Sequence, residues 1–268
     1  MSRFSLKRKN EEEDLIDEAK DDKYEYNSIV VTVKNHEKTR GKPVSSVQYF
    51  RPVNGSDVSR RDAPLPELNW VDKQEMWELM EKKETRMYKR QNPNEILSRH
   101  PAIEPRMRAI LIDWLSEVCE VYKMHRETFY LAVDFLDRFL GVAEYVSRDK
   151  LQLVGVTCLF IGSKIEEIYP PPVKEFAYVT DGACTIEDIK LTELDIVKKL
   201  NWGLAPMTPN SWMKVFMQVV QGPKTVADSC TLPSYSGFEF SMAMQLIDLC
   251  MLDIGSLQFR YSILATAA

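Results

Sequence analysis

The sequence predicts an all-α protein. Apolar residues recur at helical spacing from about Asn69 to the end of the chain, and helix-start signals precede several of these segments. No segment shows the two-residue alternation that is typical of a half-buried strand. Hydrophobic residues form 44% and charged residues 28% of the 268 residues, which is the composition of a globular protein with a sizeable core.

The overall composition argues against several classes of protein. No apolar run approaches the roughly 20 residues that cross a bilayer, and the N-terminus turns acidic without the apolar core of a secretory signal. The net charge of -5 argues against the broad basic surface of a nucleic-acid-binding protein. The five cysteines form no Cys-x-x-Cys pair and are interpreted as small core residues. We therefore expect an intracellular protein with no membrane or nucleic-acid partner.

Residues 1–66 are expected to form a disordered tail. Blocks of charge alternate there with Ser, Pro, Asn and Gly, and few residues could build a core. Within this tail, Lys7, Arg8 and Lys9 are either a nuclear import signal or part of a solvated segment. The residues themselves leave both interpretations open.

Residues 67–104 are expected to form an N-terminal helix followed by a loop. The apolar positions of the helix are Trp70, Met76, Trp77 and Met80. Asp72 and Glu75 have the spacing of a capping box at its start. The segment 92–105, "NPNEILSRHPAIEP", contains three prolines that argue against a continuous helix, so it is predicted to be a loop.

Residues 105–204 are expected to form a unit of five helices. These are predicted at 106–123, 127–140, 151–165, 172–178 and 186–200. Their start and stop signals are Gly141, Ser147, the prolines at 170–172, and the capping box of Thr185 and Asp188. The third helix is apolar on almost every side, so we expect it at the centre of the unit.

Residues 205–268 are expected to begin a second helical unit. Thr208 is a predicted helix cap, and Pro209 occupies the first helical position, where proline is favoured. Further helices are predicted at 210–220, at 238–252 and from 257 onward.

The first predicted helix of the five-helix unit has a broader apolar surface than one core-facing stripe requires. On a helical wheel the excess lies at the edge formed by Met107, Ile110 and Trp114, beside Glu117. This edge either faces a partner or packs between two neighbouring helices, and periodicity alone favours packing.

Two charged residues lie on apolar faces and require partners of opposite charge. Arg108 is on the same helix, and an unpaired guanidinium in a core would be costly, so we expect a bidentate structural ion pair with Asp137. Glu193 lies among apolar positions of the fifth helix, and Lys164 at the end of the third is a candidate cation. Taken alone, the second pair is more simply interpreted as structural than as functional.

The sequence offers no catalytic constellation. The three histidines, His36, His100 and His125, have neither metal-ligand spacing nor a nucleophile beside them, and no Gly-rich phosphate loop is present. We therefore predict no catalytic residue, no metal and no cofactor.

Three segments carry a resemblance to a known family. The segment "MRAILIDWLSEVCEVYKMHRETFYLAVDFLDRFL", followed by "SKIEEIYPP" and "FAYVTDGACT", resembles the cyclin box, and most closely that of the E-type cyclins of the G1 to S transition. The resemblance covers the chain from about residue 65 to its end. It implies a cyclin fold, in which an N-terminal helix precedes a five-helix bundle and a second cyclin-fold unit follows.

The resemblance implies a regulatory subunit that binds and activates a cyclin-dependent Ser/Thr kinase in the nucleus. Lys164 and Glu193 match the polar centre of the kinase contact in cyclins, so the resemblance favours a functional role of that pair over a structural one. Its expected apolar neighbours are Ile165, Leu194 and Val197.

The resemblance also implies a groove that docks substrates and Cip/Kip-type inhibitors through an Arg-x-Leu motif. The matching positions are Met107, Ile110, Leu111, Trp114, Glu117, Leu151 and Gln152. The leucine of the motif would enter the apolar groove, and Glu117 would face its basic residue. By the same resemblance, Arg108 and Asp137 are the internal ion pair.

The chain departs from the family pattern in one respect. The first unit spans 105–202, so an equal second unit beginning at Thr208 would extend beyond about residue 300. The C-terminal phosphodegron of the E-type cyclins has no match either. We therefore expect a fragment or a truncated isoform with an incomplete second unit, whose apolar helix faces are exposed.

One alternative within the same fold is a transcription initiation factor, which also uses tandem five-helix units but binds DNA. Such a protein needs a basic face. The net charge of -5 and the match at Lys164 and Glu193 both favour the kinase-binding alternative.

Overall fold

The computed structural model describes residues 60–62, 73–87, 92–220 and 234–268. Within these ranges the chain is helical apart from one pair of three-residue strands, so the all-α prediction is confirmed. The tail predicted for residues 1–66 lies outside the described residues, except for the strand β1 at Arg60–Asp62. That strand was not predicted. It pairs antiparallel with β2 at Ser234–Ser236.

Ten α-helices form the described structure. In chain order they are α1 Lys73–Met87, α2 Pro93–Arg99, α3 Pro105–Tyr122, α4 Arg126–Val142, α5 Leu151–Glu166, α6 Val173–Val179, α7 Ile186–Lys199, α8 Pro209–Val220, α9 Gly237–Leu252 and α10 Tyr261–Ala267. Short 3-10 helices lie at Arg148–Lys150, before α5, and at Ile254–Gln258, between α9 and α10.

The predicted loop at 92–105 is wrong for Pro93–Arg99, which is the helix α2. The side chain of Asn92 accepts a hydrogen bond of 3.1 Å from the N–H of Asn94, so Asn92 is an N-cap. Pro93 is the first helical residue, where the missing N–H costs nothing. The first proline therefore starts a short helix instead of preventing one.

Capping residues, glycines and prolines in the sequence predicted most helix ends to within two residues of their positions in the structure. The capping box at the start of α7 is present, since Thr185 Oγ accepts from the N–H of Asp188 and Asp188 accepts from the N–H of Thr185. Thr208 Oγ accepts from the N–H of Ser211 at the start of α8. Gly141 does not end α4 as predicted, because the helix continues through it to Val142.

Helix α5 lies at the centre of the first unit and packs against α3, α4, α6 and α7. Its residues are buried from Leu151 to Ser163, except for the half-buried Leu153. Two glycines allow this close packing. A Cβ at Gly155 would lie 2.7 Å from Leu111 Cδ1, and a Cβ at Gly162 would lie 3.0 Å from the carbonyl oxygen of Thr128.

The N-terminal helix α1 packs against α8 and α10. The ring of Trp77 meets the ring of Trp212 on α8 at a centroid distance of 5.6 Å. Glu84, which is buried, accepts hydrogen bonds of 2.8 and 2.6 Å from the backbone N–H and the hydroxyl of Ser262 on α10. Helix α1 thus contacts residues almost two hundred positions away in the chain.

The first turn of α4 contacts α8 and α9. Glu127 accepts hydrogen bonds of 2.6 Å from both Thr208 Oγ and Asn210 Nδ2, at the start of α8. Its neighbour Arg126 pairs with Asp248 on α9 at 2.7 Å. Charge-assisted hydrogen bonds of this kind are about twice as strong as neutral ones, so these contacts fix α8 and α9 against α4.

Helix α9 has apolar residues on two faces. Phe240, Met244, Ile247 and Met251 are buried. Phe238, Met242, Leu246 and Leu249, on another face of the same helix, are exposed.

The structure brings Arg108 and Asp137 together as a buried bidentate ion pair. Arg108 Nε donates to Asp137 Oδ1 at 2.6 Å, and Nη2 donates to Oδ2 at 2.7 Å. Arg108 Nη1 donates to the carbonyl oxygen of Met251 at 2.8 Å. Burial would lower the pKa of the Arg108 guanidinium, but the negative charge and hydrogen bonds of Asp137 raise it, so the arginine stays charged.

We expect Asp137→Ala to lower the free energy of unfolding by about 3 to 5 kcal/mol, because it leaves the Arg108 charge buried without a partner. Urea denaturation followed by circular dichroism measures this change. Asp149→Ala, which removes an exposed carboxylate before α5, is the matched control and should change the stability by less than about 0.5 kcal/mol. Equal effects of the two substitutions would contradict the structural role of the pair.

Candidate functional site

The first candidate surface has Lys164 and Glu193 at its centre. Lys164 lies in the last turn of α5 and Glu193 in the middle of α7, and packing of the two helices brings Lys164 Nζ and Glu193 Oε1 into a salt bridge. Lys164 Nζ also lies 4.4 Å above the centre of the Phe160 ring. The side chain of Lys164 is 41% exposed, so the pair is accessible from outside.

Two of the three predicted apolar neighbours surround this pair at the surface. Ile165 and Leu194 are exposed, so both offer apolar area beside the salt bridge. Val197 is only 7% exposed and belongs to the core, so it can offer a partner very little area. We call Lys164, Glu193, Ile165 and Leu194 the α5–α7 surface.

Two further exposed apolar residues extend this surface and were not predicted. Ile168 and Tyr169 follow α5 directly and are 81% and 91% exposed. The sequence contained a signal of their exposure. The three prolines that follow end the helix, so this Ile-Tyr pair is not part of its buried face. A helical wheel predicts burial only within a helix, so it could not predict the exposure of these two residues.

The second candidate surface is the predicted groove between α3 and the start of α5. Met107, Leu111, Trp114, Leu151 and Gln152 are buried and, like Val197, can offer a partner little area, while Ile110 and Glu117 are half-buried. Within the part of the chain that the structure describes, Trp114 Nε1 is buried and has no hydrogen-bond partner. An unsatisfied buried donor of this kind costs about 1 to 3 kcal/mol.

The outer edge of α3 carries a cluster of carboxylates. Asp113, Glu117 and Glu120 are spaced by four and three residues, so they lie on one side of the helix. Burial and the negative charges of the other two raise the pKa of Glu117 to about 7. A cation placed here would relieve this repulsion.

The histidines have structural roles where the structure describes them. His100 is buried, with Nε2 2.8 Å from the carbonyl oxygen of Leu140 and Nδ1 accepting from the N–H of Val146 at 2.9 Å. This arrangement requires the neutral imidazole with its proton on Nε2. His125 pairs with Glu167 at 3.1 Å. His36 lies outside the described residues.

In the described ranges, no group of His, Cys, Asp or Glu side chains is arranged to hold a metal ion. The same ranges contain no helix that is both long and apolar enough to span a bilayer.

The comparisons with known proteins agree with this architecture. Residues 75–205 match the family model described as "Cyclin, N-terminal domain". The chain belongs to the cyclin family. The match begins in α1 and ends after α7, so it includes the α5–α7 surface and the groove residues.

Several relatives are named as G1/S-specific cyclins. The chain is 50% identical over 222 residues to G1/S-specific cyclin-E of Hemicentrotus pulcherrimus, covering 82% of this chain and 51% of that protein. It is 44% identical over 263 residues to G1/S-specific cyclin-E of Drosophila melanogaster, covering 87% and 36%. The chain therefore spans about half or less of the length of these relatives. The resemblance to the cyclin family, and to cyclin E in particular, is confirmed.

A solved structure supports the fold. A viral cyclin from herpesvirus saimiri superimposes with a TM-score of 0.59 at 19% identity, covering 70% of this chain and 76% of that chain. Identity at this level supports the cyclin fold and nothing finer.

We expect the carboxyl group of Glu117 to titrate near pH 7 in a carbon-detected NMR titration. Asp113→Asn should lower this pKa, because it removes a neighbouring negative charge, while burial keeps the pKa above the ordinary 4.5. Since the folded pKa exceeds the unfolded one, the contribution of Glu117 to stability should fall as the pH rises from about 4.5 through 7. Titration of Glu117 below pH 5 would contradict the role of burial.

Proposed function

We propose that the chain is a regulatory subunit that binds and activates a cyclin-dependent Ser/Thr kinase at the G1/S transition of the cell cycle, and that it is not itself an enzyme. The observation that supports this most directly is the α5–α7 surface, where an accessible salt bridge lies among exposed apolar side chains. The names of the relatives, which are G1/S-specific cyclins, support the timing.

The α5–α7 surface has the composition of a protein interface. On binding, its apolar side chains would be removed from water, and the central charged pair would orient the partner. Lys164 has three donors and Glu193 has two acceptor oxygens, so the salt bridge leaves hydrogen-bonding capacity for a partner. A kinase that binds this surface only in its active conformation would be shifted toward that conformation.

We further propose that the groove recruits Arg-x-Leu substrates and Cip/Kip-type inhibitors. Ile110, which is half-buried, offers apolar area to the leucine side chain, and the Asp113–Glu117–Glu120 cluster suits the basic residue. Positioning the peptide on α3 would increase the concentration of substrate near the bound kinase.

A nuclear location is part of this proposal. Its support is the basic triplet Lys7, Arg8 and Lys9, which lies outside the described residues, and the proposed kinase role.

The kinase contact is tested by exchanging the two charges of the salt bridge. We expect the double variant Lys164→Glu, Glu193→Lys to keep an ion pair within the chain but to present reversed charges to the kinase. Reversal of a desolvated contact costs about 2 to 5 kcal/mol, so activation of a monomeric cyclin-dependent kinase on a Ser-Pro peptide should fall by roughly 30-fold or more.

A matched control exists on the same helix. Asp195 and Lys199 form an exposed ion pair of 3.0 Å on α7, and the exchange Asp195→Lys, Lys199→Glu also keeps its pair. We expect this control to activate the kinase like the native chain. If both exchanged variants activated equally, the α5–α7 surface would not be the kinase contact, and a native chain without activity would overturn the proposed function.

The groove is tested by the pH dependence of peptide binding. We expect the affinity for a histidine-free Arg-x-Leu peptide to rise by about fivefold from pH 6 to pH 8, because Glu117 becomes ionised over this range and attracts the arginine. Fluorescence anisotropy measures the affinity. Glu117→Gln should remove the pH dependence, and an Ala-x-Leu peptide should show little of it. A flat profile for the native chain would exclude Glu117 as the partner of the basic residue.

A further inference from the structure

We propose that Glu167 is a positioning residue for the α5–α7 surface. Its carboxylate ties the segment after α5 to the start of α4, and this holds Ile168 and Tyr169 outward as a preformed extension of the surface. The inference rests on the proposed kinase contact. It assigns a role to a residue that contributes no contact area of its own.

The side chain of Glu167 is fully engaged with the start of α4. Its Oε1 accepts a hydrogen bond of 2.7 Å from the backbone N–H of His125 and another from the hydroxyl of Thr128. Its Oε2 lies 3.1 Å from Nδ1 of the His125 ring. Burial would raise the pKa of Glu167, but the hydrogen bonds from His125 and Thr128 outweigh it and lower the pKa. The carboxylate is therefore held ionised by two hydrogen bonds and by the nearby His125 ring.

The position of Glu167 in the chain links it to the surface. It follows the last residue of α5, and its backbone N–H donates to the carbonyl oxygen of Ser163 at 2.9 Å, while its own backbone is extended. Lys164 lies three residues before it and Ile168 directly after it. The direction in which the chain leaves α5 is thus set at Glu167.

The segment beyond Glu167 has little backbone hydrogen bonding available to it. Pro170, Pro171 and Pro172 have no N–H, so they cannot anchor the segment through backbone donors. Pro171 instead lines a small apolar pocket with Val118 and Phe176. Ile168 and Tyr169 therefore lie between two anchors, the Glu167 carboxylate on one side and the packing of Pro171 on the other.

Holding these two side chains in place matters for binding. Ordering an exposed segment on binding costs conformational entropy, and a segment that is already held avoids most of that cost. Ile168 and Tyr169 are almost fully exposed, so the intramolecular packing of their own side chains cannot hold them. The hydrogen bonds of Glu167 therefore hold this segment in place, because side-chain packing does not.

A purely structural role of Glu167, as a cap for α4, predicts different behaviour. A cap would affect the stability of the whole unit, and both candidate surfaces would lose binding together. A positioning role affects the kinase contact alone. Leu151 of the groove precedes Lys164 by 13 residues on α5, so these two residues lie about 20 Å apart along that helix.

The experiment compares Glu167→Ala with the conservative Glu167→Gln. Glutamine keeps an acceptor oxygen for the His125 N–H and the Thr128 hydroxyl, whereas alanine keeps none. Glu144→Ala is the control, because it removes an exposed carboxylate beyond the opposite end of α4. Surface plasmon resonance measures binding to a cyclin-dependent kinase subunit, and fluorescence anisotropy measures binding of an Arg-x-Leu peptide to the groove.

We expect Glu167→Ala to weaken kinase binding by about tenfold or more, Glu167→Gln to recover most of it, and Glu144→Ala to have no effect. Peptide binding should be the same in all four proteins. Unchanged kinase binding by Glu167→Ala, or a parallel loss of kinase and peptide binding, would overturn the positioning role.

Backbone nitrogen-15 relaxation separates this inference from the proposed function. In the chain without any kinase, we expect the amide order parameters of Ile168 and Tyr169 to be near the rigid-backbone value of about 0.85, and to fall below about 0.6 in Glu167→Ala. If the native chain bound no kinase, the proposed function would fail, and the order parameters would still show whether Glu167 holds the segment. Equal order parameters in the two proteins would overturn the inference by themselves.

Discussion

The arrangement of the helices depends on one buried guanidinium. Arg108 is a charged group inside the core, and it is tolerated there because Asp137 and the carbonyl oxygen of Met251 satisfy its donors. These partners lie on α4 and at the end of α9, so a single side chain fixes α3 against both helices. The helix that carries the groove cannot shift without leaving this charge unpaired.

The first turn of α4 is the second point on which the structure depends. Arg126 binds Asp248 on α9, Glu127 accepts from the residues that start α8, and Thr128 donates to Glu167 after α5. Three consecutive residues therefore join α4 to three other parts of the chain. Burial cannot supply such directional contacts, because the hydrophobic effect has no preferred geometry. Polar pairs at the start of a helix therefore determine which other helix ends pack against it.

Signals between residues that are close in sequence predicted most of the helices. Contacts between residues that are far apart in sequence could not be predicted in this way. The capping box at Thr185 was readable because its two partners are three residues apart, and Asp137 was a reasonable partner for Arg108 because a buried arginine requires an acid. The pairing of β1 with β2 joins residues more than 170 positions apart through three residues each, and no sequence period reports such a contact. The contacts of Glu167 were missed for the same reason. Helix α2 was missed because Pro93 is a helix start, whereas the prolines of this segment were treated as helix breakers.

The two proposed surfaces are connected by the most rigid element of the structure. Leu151 and Gln152 of the groove lie in the first turn of α5, and Lys164 lies in its last turn, which separates them by about 20 Å. Because α5 is buried along most of its length and closely packed at Gly155 and Gly162, this separation cannot change without disrupting the core. A substrate docked in the groove would therefore be held at a fixed distance from a kinase bound at the α5–α7 surface. The burial of α5 then serves both stability and the proposed function, since a flexible connection would lose the gain in effective concentration that two fixed sites provide.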